Sequence, residues 1–534
     1  MRRPHGLTTI VGIVLALTMA LAACSPPGSS PGTEPSAGTG DAGGGDIRYQ
    51  LYQAPTGFSP FHATNGADGE IAGLHFRPLL STSGEEYVPV LAESWEVSED
   101  ATTYTFTLRE TNWSDGTPFT SADVVYSYES YADPDTKSAF SGRLASVAGY
   151  TEFSEGNAET ITGVVAPDER TVEITLSGPN AAFLNSLPGL TIVPKHVYSE
   201  IDRAKFQGAP EFREPAVGIG PYVFSRWVTD DQIEFVPNEE SFEEHPLSHV
   251  YAQFLAGDVA RAQLETGEID IAQLSSVDAK ALAESGTVTV QQREGTGVMS
   301  LYTALDSGKL ADVKVRQAIL HAIDRQSIVD NVLAGNGSVP QSMLYQPSWT
   351  IPNDLTSYDY DPEKAKQLLA EAGWDADVEV NLDIVPGQAD RDAVMDIVAG
   401  QLQAVGINAK LHPLQPAELS KLVEERKFDL LITILALPPT EPGAINDRFM
   451  CEASLNISAY CNPELDDLLK QAVAISDQDG RAELYQQANR ILNEEQPAIP
   501  LYVSNQAYGS TARVQGFNPV QGGLSAAQNW TVTD

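Results

Sequence analysis

Positive charge is scarce in this chain. Against 73 Asp and Glu stand only 32 Lys and Arg, a net charge of −41. Removing the first 45 residues changes nothing, because Arg2, Arg3, Glu34 and Asp41 cancel. An acidic surface of this size argues against nucleic acid as a partner and against electrostatic docking on anionic lipid. It favours solubility outside a cell and says little about a ligand. Cysteine is rarer still, at three residues. Beyond Gly45 no apolar run is long enough to span a bilayer. Catalytic signatures are missing too: there is no Gly-x-Ser-x-Gly elbow, no His-Glu-x-x-His, no P-loop and no glycine-rich dinucleotide fingerprint. His245 and His249 stand four apart, but Pro246-Leu247 between them argues for a loop over a helical metal site. Paired carboxylates such as Asp466-Asp467 and Glu494-Glu495 read as solvated helix faces. The chain is therefore not expected to be an enzyme, nor to carry a metal or other cofactor.

What is present begins at the N-terminus. Arg2 and Arg3 precede an uncharged apolar run from Leu7 to Ala23, the pattern of a signal peptide. Leu21-Ala22-Ala23-Cys24 resembles the lipobox of bacterial lipoproteins, which implies lipidation of Cys24, cleavage before it (residues 1–23 removed) and anchoring by two or more acyl chains. From Ser25 to Gly45 the chain holds 7 Gly, 4 Pro and 4 Ser among 21 residues, with no aromatic and no Leu, Ile, Val or Met. Such a stretch buries nothing, so residues 24–45 are expected to form a flexible tether with an r.m.s. span of about 25 Å.

The 489 residues from Asp46 onward are enough for two or three lobes. Their helices are well punctuated. Asp361-Pro362-Glu363 supplies an N-cap, a proline at the first helical position and a first-turn acid; Ala365, Leu368, Leu369 and Ala372 follow at helical spacing, and Gly373 ends the element. Asn462-Pro463-Glu464 repeats the device before Leu465, Leu468, Leu469 and Ala472. Val394, Ile397, Val398, Leu402 and Val405 form another stripe, closed by Gly406 and followed by an alternating strand from Ile407 to Leu411. These stripes are core faces.

The most informative segment is Leu91 to Tyr128. Tyr104-Thr105-Phe106-Thr107-Leu108 alternates as a half-buried strand, Asp115-Gly116 makes a tight turn, and Thr120-Ser121-Ala122-Asp123 can cap a helix from about Ala122 through Tyr128. Together with Gly218-Ile219-Gly220-Pro221-Tyr222, Val315-Arg316-Gln317-Ala318-Ile319 through Asp324-Arg325, the Tyr360 to Gly373 segment and the closing Gln496 to Tyr502, this order resembles the family 5 extracytoplasmic solute-binding proteins, the peptide, nickel and related receptors of ABC importers. The resemblance implies an α/β, periplasmic-binding-protein type II fold with two ligand-clasping lobes and one additional family-specific lobe. Lobe I would comprise 46–90, 216–302 and 502–534, the additional lobe 91–215, and the opposing ligand lobe 303–501. It implies capture of a peptide or peptide-like solute by hinge closure and delivery to permease subunits, at the outer face of the bacterial cytoplasmic membrane. An oligosaccharide or metal chelate as solute, or a membrane sensor as partner, are the alternatives.

Peptide-binding members of the family anchor the ligand's ammonium with an aspartate after a strand. Here Phe428 to Ile434 leads into Leu435-Ala436-Leu437-Pro438, with Pro438 where the aspartate would fall and Glu441 as its candidate substitute. The dipeptide branch carries an arginine for the ligand carboxylate where this chain has Val385-Pro386-Gly387-Gln388-Ala389. Arg391 is the nearest cation and is expected on the surface. By position in the fold, Gln53 to Phe61 should face the cleft, and Tyr345 and Trp349 could stack on a ligand. The candidate ligand-binding set is thus Gln53, Phe58, Tyr345, Trp349, Gln388, Leu435, Ala436, Leu437 and Glu441. Cys451 and Cys461 follow the cysteine pattern of the dipeptide branch and are expected either to form a short-loop disulfide or to remain as two buried thiols.

Overall fold

A computed structural model of the chain describes residues 44–63, 65–387, 389–453 and 455–533. The expected signal peptide, Cys24 and nearly all of the expected tether lie outside the described residues. Gly44 and Gly45, placed in the tether by composition, already belong to the fold: the Ser248 N–H donates to the Gly44 carbonyl at 3.0 Å.

Two sheets organise the rest. The first has seven strands in the order 222–228, 232–237, 250–254, 47–51, 271–274, 506–510, 289–293. Ile47–Leu51 runs parallel to Val250–Phe254 and to Ile271–Leu274 at its centre, and being covered on both faces it is buried at Ile47, Tyr49, Gln50 and Leu51. The second has six strands in the order 337–338, 498–504, 297–302, 430–436, 379–384, 408–413. The chain passes between the sheets at 294–296 and again at Asn505. Gly297–Tyr302 and Ala498–Ser504 therefore pair within the second sheet, whereas the sequence reading drew the lobe boundaries at 302/303 and 501/502. The polar breaks at Glu294-Gly295-Thr296 and Ser504-Asn505-Gln506 mark the crossings in the sequence, a few residues before and after the boundaries expected.

The segment that carries the family resemblance folds as a unit. In Thr103–Leu108, Tyr104, Phe106 and Leu108 are buried, and Gly116 takes φ +83° in the turn. The helix runs Ser121–Ala132, one turn beyond Tyr128, because Tyr131 and Ala132 continue its buried face. Asp123 does more than cap. Its carboxylate accepts from the backbone N–H groups of Thr120 and Lys195, both at 2.9 Å, and faces Trp113 Nε1, so it ties strand, turn and helix to the 191–198 segment. The four-stranded sheet 92–97, 103–108, 171–175, 164–168 shares one continuous apolar core with the first sheet, from Ile47 through Phe106 and Tyr131 to Trp530.

Gly218 and Gly220 have a steric explanation. The helix Gly66–His75 ends against them: Ile219 and Gly220 both donate to the His75 carbonyl at 3.0 Å, and a Cβ on Gly220 would lie 1.9 Å from the Leu74 oxygen. His75 itself is fully buried. Its Nδ1 accepts from the Phe224 N–H at 3.1 Å, so Nε2 carries the proton and donates to the Val217 carbonyl at 3.1 Å. Burial lowers its pKa to about 3. Because the folded value lies below the ordinary 6.5, the folded chain binds fewer protons than the unfolded one, and His75's contribution is complete above pH 6.5 and lost as pH falls toward 3, at about 1.4 kcal/mol per pH unit. His75→Gln keeps an acceptor and a donor without a titration. Chemical denaturation between pH 6.5 and 4.5 should show wild type losing about 2.5 kcal/mol relative to the variant; parallel pH profiles would contradict this.

In the second half the helices Pro362–Glu371 and Pro463–Val473 open with Asp361 accepting from Lys364 N at 2.9 Å and Asn462 accepting from Glu464 N at 2.9 Å. Arg316 and Arg325, part of the resemblance, are both buried. Arg316 donates to the carbonyls of Leu310, Ala311, Glu495 and Gln496, closing the C-terminal end of Gln478–Glu495, and Arg325 donates to those of Pro340, Tyr358 and Pro500. Cys451 and Cys461 are joined in a disulfide that spans ten residues.

Candidate functional site

The two crossings between the sheets lie against one another. A Cβ on Gly295 would meet the Ser504 oxygen at 2.1 Å, so the passage requires glycine. Neighbouring groups hold both strands: Tyr345 donates its hydroxyl to Gly295 O at 2.9 Å, Leu437 N–H reaches Thr296 O at 2.7 Å, and Asn336 Nδ2 reaches Asn505 O at 3.0 Å. Paired crossings of this kind form a hinge, and a solute that touches both sides shifts its equilibrium.

At the first sheet's edge beside the crossings lies a cavity of about 600 Å³. Tyr52 lies just past the end of the strand Ile47–Leu51, Arg293 and Gln506 flank the crossings, Glu70 comes from the helix Gly66–His75, and Tyr508 and Gln273 complete the wall. Burial raises the Glu70 carboxyl, with Leu524 N–H, Tyr49 and Arg293 opposing that rise. A second cavity of about 530 Å³ follows the other flank of the same helix and holds the Arg77–Glu243 pair, 2.6 Å apart. Thr82, Arg143, Pro188 and Gly189 line both this cavity and a smaller one that reaches Pro438 and Thr440. Burial lowers the Arg143 pKa.

The residues singled out by sequence are not brought together in one place. Gln53 is exposed just beyond the first strand, and Ala436 is exposed near the end of Leu430–Ala436. Gln388 lies outside the described residues. Phe58 is fully buried in edge contacts with His75, Phe224, Trp227 and Phe235, and Leu435 and Leu437 are buried in the second lobe's core, so all three serve packing. Tyr345 belongs to the hinge. Trp349 stands edge-on to Tyr485 at 5.7 Å and beneath the Arg481 guanidinium.

Glu441 does not present a free carboxylate. Its Oε1 accepts from Arg481 Nη2 at 2.6 Å, and both side chains are less than a tenth exposed. Burial raises the Glu441 carboxyl against the pull of Arg481. Burial likewise lowers Arg481, but Glu441 and Tyr485 more than restore it. Arg391, expected on the surface, is half-buried, gives Nη2 to the Val385 carbonyl and leaves Nε without a partner. Sequence reasoning missed Glu70, Arg293 and Ile434. Ile434 is 52 % exposed beside Gly297, and the alternation of Ile434 and Ala436 against Leu435 and Leu437 was the signal that could have found it. Glu70 had none, since one of two acids on a glycine-rich helix resembles any solvated charge.

No group of His, Cys, Asp or Glu among the described residues is arranged to hold a metal ion, and no described helix is long and apolar enough to cross a membrane. The family model for bacterial extracellular solute-binding proteins, family 5, middle, matches residues 86–453. Heme-binding protein A of Haemophilus influenzae is 27% identical over 524 residues, covering 94% of this chain and 95% of its own. A dipeptide-binding protein of Pseudomonas aeruginosa is 27% identical over 487 residues, covering 87% and 90%. Among solved structures, a periplasmic murein tripeptide-binding protein in its unliganded open form superposes with a TM-score of 0.80 over 91% of this chain and 97% of its own, at 23% identity.

Proposed function

Because the chain belongs to family 5 of the bacterial extracellular solute-binding proteins, we propose that it is the lipid-anchored receptor of an ABC importer for peptides or peptide-like solutes. The family is one of solute-binding components and not of enzymes. The observation that carries the reading is the pair of strand crossings at 294–296 and Asn505 with a polar, charged cavity at their base: a hinge with something to close upon. A relative that binds dipeptides supports the peptide class. A relative named for heme binding, at the same identity, and the enclosure of Glu441 favour a second reading, in which the solute is not a peptide.

Denaturing the purified protein and identifying the released small molecules by mass spectrometry tests the choice. A peptide mixture is the expected result, whereas a sugar, a metal chelate or a porphyrin would replace the peptide reading with the second. The anchor has its own test. Cys24→Ser should move the protein from the membrane fraction to the soluble fraction, since the acyl chains are what hold it there; continued membrane retention would remove lipidation from the proposal.

A further inference from the structure

Two opposite charges face the cavity at the hinge, and among the described residues neither forms a direct ion pair, although Arg293 is close enough to Glu70 to favour its charged form. Glu70 lies on the helix Gly66–His75 and Arg293 ends the strand Thr289–Arg293. Among the described residues, the ion pairs of the neighbouring elements run elsewhere, from Arg513 to Asp270 and from Arg77 to Glu243. Glu70 Oε2 accepts from the Leu524 N–H at 3.1 Å, and the carboxylate also accepts from the Tyr49 hydroxyl. Arg293 gives Nη2 to Gln506 Oε1 and leaves Nε without a partner. The space at Glu70 is kept open by glycine: a Cβ on Gly523 would lie 2.8 Å from both Glu70 Oε2 and the Tyr49 hydroxyl. Both side chains are half-buried, and two opposite charges that line one cavity without a direct ion pair suit a site that waits for a ligand bearing both complements. On the opposing lobe, the Glu441 carboxylate is already bound by Arg481.

We propose that Glu70 and Arg293 are the charge anchors of a zwitterionic ligand, Glu70 taking its ammonium and Arg293 its carboxylate. The first lobe then supplies the polar ends, and the receptor selects short peptides or amino-acid conjugates whose two termini are both free. Tyr52 and Tyr508, in the same cavity, offer rings to the body of the ligand. The assignment rests on the peptide reading above.

Binding of three pools of randomised tripeptides to the full chain, with both ends free, N-acetylated or C-amidated, tests it by calorimetry. Wild type should bind the free pool about 10- to 100-fold more tightly than either blocked pool. Glu70→Gln should abolish the discrimination against N-acetylation and keep that against amidation, and Arg293→Gln should do the reverse. Equal binding of all three pools to wild type, or variants that discriminate as wild type does, would overturn the anchors while leaving the peptide reading intact. If none of the pools binds, the peptide reading falls and the anchors with it. Should Glu70→Gln not fold, the wild-type comparison and Arg293→Gln still decide.

Discussion

Arg481→Met is expected to lower folding stability by about 3–5 kcal/mol, because it leaves Glu441 ionised and buried with no countercharge. Arg481 holds Glu441 at 2.6 Å, donates Nε to the Ala472 carbonyl at 3.1 Å and lies over the rings of Trp349 and Tyr485 at 5.5 and 5.7 Å. Tyr87 and Tyr104, far away in the sequence, lie within the field of the same pair. The double variant Arg481→Met, Glu441→Gln removes both charges and should recover a large part of the loss, since replacing a whole buried pair is far cheaper than breaking it. The single variant also carries a pH signature. Its Glu441 pKa rises further in the folded state, so folding takes up a proton and the deficit shrinks as pH falls. Chemical denaturation of both variants at pH 7 and pH 5 measures this. A single variant no less stable than the double, with no relief at low pH, would show that the pair contributes little.

Gly220→Ala is expected to prevent folding or to cost more than about 3 kcal/mol, at the upper end of overpacking penalties, since the obstacle is backbone. The added Cβ would stand 1.9 Å from the Leu74 carbonyl oxygen, and no rotamer can move that atom. Relief requires the helix end to part from the 218–222 segment, which breaks the two N–H bonds to His75 O and disturbs the imidazole bonds to Val217 and Phe224. Gly257→Ala is the control. It lies at the start of a helix with nothing within 4 Å of the added atom, and should change stability by less than about 0.5 kcal/mol. Soluble yield and thermal midpoints compare them. A Gly220→Ala protein as stable as the Gly257 variant would mean that the helix end can shift freely.

The sequence was legible wherever a signal is local. Asp361-Pro362 and Asn462-Pro463 open helices where the structure opens them, and the strand, turn and helix around Asp115 lie where alternation and capping put them. What it did not reveal is contact between distant residues. Glu441 looked available until Arg481, 40 positions later, closed on it, and Glu70 gained meaning only when folding brought Arg293 to the same cavity. Asp123 was readable as a cap, but its bond to Lys195, 72 residues on, was not.

The apolar core shared by the first sheet and the four-stranded sheet makes those two regions one solid piece, so the three-lobed chain has mechanically two parts and a single joint. Glu85 bonded to Ser348 at 2.6 Å and Asn185 beside Thr440 at 3.5 Å connect those parts away from the crossings. A clasp set away from its pivot acts through a lever arm, so a small rotation at Gly295 and Asn505 becomes a larger displacement there. The rim would release well before the joint itself had strained.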